Sequence, residues 1–122
     1  MTKKSVFILL SAMIFSIVAL TSAEEIFGIQ VYPGAKPDAE TTKFLKEGLK
    51  VDGAAYRTPD SVEKVAAFYR TQKVLKSVSE DKEGAMFMKG SYEITVTIQN
   101  PWQDMKTGKQ MTDTLISIVK GK

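Results

Sequence analysis

The chain has 122 residues, neither cysteine nor histidine, and a formal charge of +3 from 17 Lys+Arg against 14 Asp+Glu. Those absences exclude Ser-His-Asp and Cys-His nucleophile systems, zinc sites built on thiolate or imidazole, His-ligated haem, disulfides and an acylated N-terminal cysteine. Any catalysis would have to rest on Asp, Glu, Lys, Tyr or Ser.

The N-terminus reads MTKKSVFILLSAMIFSIVALTSAEE. Lys3 and Lys4 precede an uncharged apolar run from Val6 to Leu20; the small residues Thr21, Ser22 and Ala23 follow, and then Glu24 and Glu25. This is the pattern of a secretory signal peptide, with cleavage expected after Ala23. A retained anchor would need an apolar stretch of about 20 residues, somewhat longer than this one. Residues 1–23 are therefore read as signal peptide and 24–122 as one small domain, periplasmic or secreted, touching a membrane only through an uncleaved signal segment. Loss of Lys3 and Lys4 brings the charge from +3 to +1. Acids and bases are interspersed, as in KFLKEGLKVD and SEDKEG, which describes a mixed solvated surface. No basic stripe argues for nucleic acid.

In IFGIQV, Ile29 and Val31 alternate with Gly28 and Gln30 as a short strand does. Tyr32-Pro33-Gly34-Ala35 predicts a type II turn, with Pro33 setting φ and Gly34 taking the positive value. PDAETTKFLKEG predicts a short helix capped by Asp38, with Phe44 and Leu45 as its apolar face and Gly48 ending it in the left-handed conformation. LKVDGAAYRT is expected to be extended, with Asp52-Gly53 as a turn or bulge signal.

YRTPDSVEKVAAFYR is the most informative stretch. Thr58 suits an N-cap and Pro59 the first helical position. Asp60 and Glu63 put negative charge at the positive end of the helix dipole. Val62, Val65, Ala66 and Tyr69 fall on one helical face, widened by Phe68. The spacing predicts a helix from Pro59 to Lys73. GAMFMKG then reads as a short strand, Gly90-Ser91 as a two-residue hairpin turn, and YEITVTIQN as a strand. In that strand Tyr92, Ile94, Val96 and Ile98 share a buried face, and Glu93, Thr95, Thr97 and Gln99 a wet one. PWQDMKTGKQM is expected to be a loop and DTLISIVK a closing strand. The order β-(α)-β-α-β-β-β predicts an α+β fold, an antiparallel sheet of about four strands with one main helix packed on one face.

VYPGA followed by YRTPDSVEKVAAFY resembles a group of small bacterial secreted and envelope proteins, some of them lipoproteins. That group carries a Tyr-Pro-Gly-Ala turn upstream of Tyr-x-Thr-x-Asp-Ser-Val-x-x-Val-x-x-Phe-Tyr. The resemblance spans about two thirds of residues 24–122 and implies a fold and a compartment, but no activity. This chain departs from the lipoprotein members by lacking the acylated cysteine.

Several short patterns invite chemical readings. Ser61 to Lys64 matches Ser-x-x-Lys and Lys106 to Gly108 matches Lys-Thr-Gly, both found in penicillin-recognising serine enzymes. Ser-Asp-Asn is missing and the chain is far too small for that fold, so helix capping and a loop are the favoured reading. Gln30 to Gly34 and Pro101-Trp102 are similar to the hairpin wedges of cystatin protease inhibitors. Here the first segment precedes the long helix, whereas cystatins carry it after. Asp38, Glu40, Asp52, Asp60 and Glu63 lack the compact spacing of a calcium loop and read as caps and solvated charges. Tyr56 and Tyr69 read as core rings with hydroxyls reaching the surface.

Trp102, Met105 and Met111 form an apolar cluster in a polar loop, the composition of a contact surface. With Tyr32 of the turn they are the candidate ligand or partner contacts, although Trp102 also reads as a cap on the sheet core. No catalytic residue, metal ligand or cofactor is assigned. The expected function is a non-enzymatic module binding an envelope protein or a small ligand. Set against it are a small hydrolase or transferase using Lys or carboxylate chemistry and a cystatin-like inhibitor. Converging buried carboxylates, or Lys64 buried beside Ser61, would favour the enzyme.

Overall fold

A computed structural model describes residues 24–121; the expected signal peptide lies outside the described residues. The alternating segments pair into one antiparallel sheet of six strands, ordered β3-β4-β10-β7-β6-β5. These are β3 (Lys36–Pro37), β4 (Asp52–Thr58), β5 (Lys76–Glu80), β6 (Gly84–Lys89), β7 (Ile94–Gln99) and β10 (Thr114–Lys120). Two small hairpins stand apart from it: β1 (Glu25–Ile26) with β2 (Ile29–Gln30), and β8 (Trp102–Gln103) with β9 (Gln110–Met111). Helix α1 (Ala39–Lys43) runs on into a π-helical turn over Phe44–Gly48, and α2 spans Val62–Arg70. The fold is α+β with an antiparallel sheet, as the element order predicts.

Period-two alternation decides which sheet face receives α2. Ile94, Val96 and Ile98 of β7, Ile116 and Ile118 of β10, and Phe87 of β6 meet Val62, Val65, Ala66 and Tyr69 in one core. Val65 and Tyr69 are fully buried, so the helical spacing identified the packed face. The helix is shorter than predicted and starts later. The β4–β10 ladder runs to Thr58↔Thr114, which holds Thr58 extended and denies it the N-cap. Ser61 takes that place, its Oγ accepting from the Lys64 N–H at 3.2 Å. Thr58 Oγ1 instead accepts from the Asp60 N–H at 3.3 Å, within the bend that links strand to helix.

The sheet has six strands rather than four because two of them carry no hydrophobic signal. β5 is Lys-Ser-Val-Ser-Glu, exposed throughout, a polar edge held by backbone pairing to β6 and bulged between Ser77 and Ser79. β3 is two residues long and contains Pro37. The β6–β7 connection is also longer than the predicted two-residue turn. It covers Gly90 to Glu93, with Gly90 and Tyr92 at φ 62° and 63°. Tyr92 therefore lies in the turn, 55% exposed, and the strand begins at Ile94.

The Tyr32–Ala35 turn forms as expected, with Gly34 at φ 85° and the Ala35 N–H donating to the Tyr32 carbonyl at 3.1 Å. Asp38 stands at the N-cap of α1 as expected, but its side chain makes no cap bond to the helix backbone; its carboxylate accepts from Thr41 Oγ1 at 2.7 Å. Gly48 is not a left-handed stop: it lies within the π-helical turn, and Lys50 carries the positive φ, 60°. Gly53 makes no turn or bulge. It sits inside β4, where a Cβ would come within 2.5 Å of the Ile118 carbonyl oxygen, so its missing side chain lets β4 and β10 close.

A second, smaller layer covers part of the opposite sheet face. Ala55 of β4 and Leu115 of β10 point away from α2 and are buried beneath Leu45 and Trp102. α1 is fixed to the β4 edge by two bonds: Ala55 N–H donates to Thr42 Oγ1 at 2.9 Å, and the Asp38 N–H donates to the Ala55 carbonyl at 2.9 Å.

Candidate functional site

Two apolar walls rise from this second face. The first is the π-helical turn, which presents Phe44, Leu45 and Leu49. The second is the β8–β9 hairpin. After Gln99 the chain leaves β7 through a cis Asn100–Pro101 peptide and enters β8 at Trp102, which pairs with Met111 of β9. Asp113 anchors this wall at its base. Its two carboxylate oxygens divide their work: Oδ1 accepts from Trp102 Nε1 at 3.0 Å and Oδ2 from Arg57 Nε at 2.7 Å. The Arg57 guanidinium also lies 5.1 Å from the centre of the Trp102 ring, within cation–π range. The hydrogen bond that Arg57 donates to Asp113 holds its guanidinium above its ordinary pKa.

The hairpin tip is built by Asp104, whose Oδ1 accepts from the Lys106 N–H at 2.8 Å, while Gly108 at φ 75° closes the loop. That tip leaves Met105 65% exposed. Between the walls lies a groove of about 640 Å³, floored by Leu115 and Ser117 of β10 and Gln99 of β7. Lys106 Nζ reaches Glu40 Oε2 of α1 at 3.5 Å and ties the two walls at the rim.

Of the four candidate contact residues, Trp102 and Met105 line this groove. Met111 packs half-buried behind Trp102. Trp102 is 7% exposed and is therefore both core and wall. Tyr32 belongs elsewhere. It is buried on the α2 side, edge-on to Phe68 at 5.5 Å, with its hydroxyl donating to Asp60 Oδ2 at 2.5 Å. Burial and that bond to Asp60 push its phenol up to about 12. Tyr69, fully buried, accepts from the Tyr32 N–H at 3.1 Å, and burial raises its pKa. Tyr56 donates to Glu24 Oε2 at 3.0 Å and is likewise pushed up to about 12, chiefly by burial.

A chain of hydrogen bonds crosses the end of the sheet where β4 stops and β10 begins. Thr114 Oγ1 donates to the Asp60 carbonyl at 2.5 Å and accepts from Asn100 Nδ2 at 3.1 Å. The Tyr32–Ala35 turn and the Pro101-Trp102 segment therefore stand at the same end of the sheet. The serine-enzyme pattern does not assemble. Ser61 Oγ serves the helix cap, and Lys64 is 69% exposed with its Nζ 3.8 Å from Asp60 Oδ2. Among the described residues no group of three or more acidic side chains is placed to hold a metal ion.

Sequence reasoning missed Phe44, Leu49, Gln99, Leu115 and Ser117 as groove residues. One signal was present. In Thr114–Lys120, Leu115 and Val119 alternate against Ile116 and Ile118, so the strand is apolar on both faces, and a strand of that kind needs a covering layer on each side. Comparison of the chain with protein-family models, curated proteins and solved structures finds no match in any of the three.

Proposed function

We propose that the protein is a non-enzymatic binding module of the bacterial cell envelope, secreted or periplasmic after loss of residues 1–23, and that it receives a small ligand in the groove between the π-helical turn and the β8–β9 hairpin. The groove itself carries the reading. Leu49 and Met105 on its walls are 54% and 65% exposed, and Trp102 and Leu115 lie beneath them. Leaving such surface in water is unfavourable by about 25 cal/mol per Å². A groove of about 640 Å³ falls within the range of small-molecule sites, roughly 300–1,000 Å³. The secretory pattern and the resemblance to small envelope proteins are what support the compartment in this reading. Lys43 and Lys106, the lysines that line the groove, are exposed, and Lys64 is not buried beside Ser61. Both observations favour binding over hydrolase or transferase chemistry.

The test is fractionation of cells expressing the full chain, followed by native mass spectrometry of the protein recovered from the envelope fraction. An N-terminus at Glu24 and a retained small-molecule mass, lost in a Leu49→Lys/Met105→Lys variant, are expected. An uncleaved cytoplasmic protein, or no bound mass in any preparation, would overturn the proposal.

One observation favours a second reading, the cystatin-like inhibitor: the Tyr32–Ala35 turn and Pro101-Trp102 share one end of the sheet. Against it, Trp102 is turned into the protein and bonded to Asp113, so it does not project towards a protease. Inhibition of papain by the purified protein would restore that reading.

A further inference from the structure

We infer that the groove selects uncharged ligands with an apolar body and rejects anions of the same shape; the inference rests on the groove being the binding site. Its rim carries three carboxylates, Glu40, Glu47 and Asp104, against two ammonium groups, Lys43 and Lys106. The charged side chains lining the mouth therefore sum to −1. Neither cation is placed to receive an anion deep in the groove. Lys106 is paired with Glu40 and 71% exposed, and Lys43 is exposed in the last turn of α1.

The floor is neutral throughout. Its polar groups are the Gln99 amide and the Ser117 hydroxyl, dipoles set beside Leu115 and Trp102. Such groups can hydrogen-bond an uncharged donor or acceptor, but they do not replace the hydration of an ion. An anionic ligand would lose solvation against Trp102, Leu115 and Phe44 and meet net negative charge on the way in. An uncharged one keeps the gain from apolar burial without that cost.

Trp102 is the chain's only tryptophan and lines the groove, so energy transfer from it reports occupancy of this site. N-phenylnaphthylamine and anilinonaphthalene sulfonate share an arylamine body and differ by one sulfonate, which isolates the charge. Protein purified from cells expressing the full chain is titrated with each probe under tryptophan excitation. The neutral probe is expected to quench Trp102 and to bind at least about tenfold more tightly than the sulfonate, a difference of about 1.4 kcal/mol. Leu49→Lys and Met105→Lys, at exposed positions, should each weaken the neutral probe while leaving the urea midpoint unchanged. Equal or tighter binding of the sulfonate, with transfer from Trp102, would overturn the charge selection and leave the groove as a site. Transfer from Trp102 to neither probe would overturn the binding reading itself.

Discussion

Asp113 is the residue on which the β8–β9 wall depends, and replacing it with alanine tests the account of the site directly. Two interactions disappear. Trp102 Nε1, on a side chain 7% exposed, loses its acceptor; a buried donor left unpaired costs about 1–3 kcal/mol. Arg57 loses its ion pair, but the paired side chains are 35% and 27% exposed, and solvent screening limits that share to roughly 0.2–1 kcal/mol. The cation–π contact between Arg57 and Trp102 loses its alignment as well, which adds little where the cation is partly exposed. The expected loss is about 2 kcal/mol, and with about 4–8 °C per kcal/mol for a domain of this size the melting temperature should fall by roughly 8–16 °C. Urea unfolding followed by Trp102 emission reads both the midpoint and the polarity around the indole. Asp113→Asn keeps one carbonyl acceptor for two donors and should lie between wild type and alanine. If Asp113→Ala unfolds within about 0.5 kcal/mol of wild type, the range of an inert surface change, with Trp102 emission unmoved, Asp113 does not hold the wall.

Two further expectations separate backbone from side-chain causes and fix the alkaline behaviour. Gly53→Ala drives a Cβ to 2.5 Å from the Ile118 carbonyl oxygen, whereas Gly48→Ala meets only the Phe44 ring at 2.9 Å. The ring can rotate and the paired backbone cannot, so thermal melting should show Gly53→Ala losing about 1–3 kcal/mol as overpacked sites do, and Gly48→Ala clearly less. Tyr32 and Tyr56 are raised from 10.0 to about 12 in the folded protein. The folded state thus holds these protons more tightly than the unfolded chain. Their contribution is complete below pH 10 and is lost as pH rises towards 12, the direction linkage requires for a raised pKa. Unfolding midpoints measured across that window should fall, and should fall less steeply in a Tyr32→Phe/Tyr56→Phe variant; an equal slope would refute the assignment.

What was legible in the sequence follows from how apolar and polar residues are spaced. α2 and β7 present long runs with one buried face, and Val62, Val65, Ala66, Tyr69 and Ile94, Val96, Ile98 lie where periodicity puts them. β5 was illegible because an edge strand with five exposed residues owes its conformation to the backbone of β6, not to its own side chains. The N-cap moved from Thr58 to Ser61 because both residues suit a cap, and only the pairing of Thr58 with Thr114, fifty-six residues away in sequence, decides between them. Tyr92 fits the alternation of its strand, yet Gly90 and Tyr92 at positive φ carry it into the turn. The candidate site was half legible. Trp102 and Met105 stood out as apolar residues in a polar loop, but their partners Phe44 and Leu49 come from a segment more than fifty residues earlier.

The groove is firm at its base and loosely tied at its rim, and this bears on how a ligand could enter. One wall is fixed through Thr42 and Asp38 to the β4 edge, the other through Asp113 to Trp102 and Arg57. The side-chain bonds among them are partly shielded, and breaking them leaves polar groups without partners. Across the mouth the described structure has one ion pair, Lys106 to Glu40, with side chains 71% and 62% exposed. A pair so exposed contributes at most about 1 kcal/mol and weakens with salt. The rim can therefore open with little loss of stability while the floor keeps its shape. If the groove binds a ligand as proposed, burial of Leu49 and Met105, now 54% and 65% exposed, would favour occupancy at the part of the groove that yields most easily.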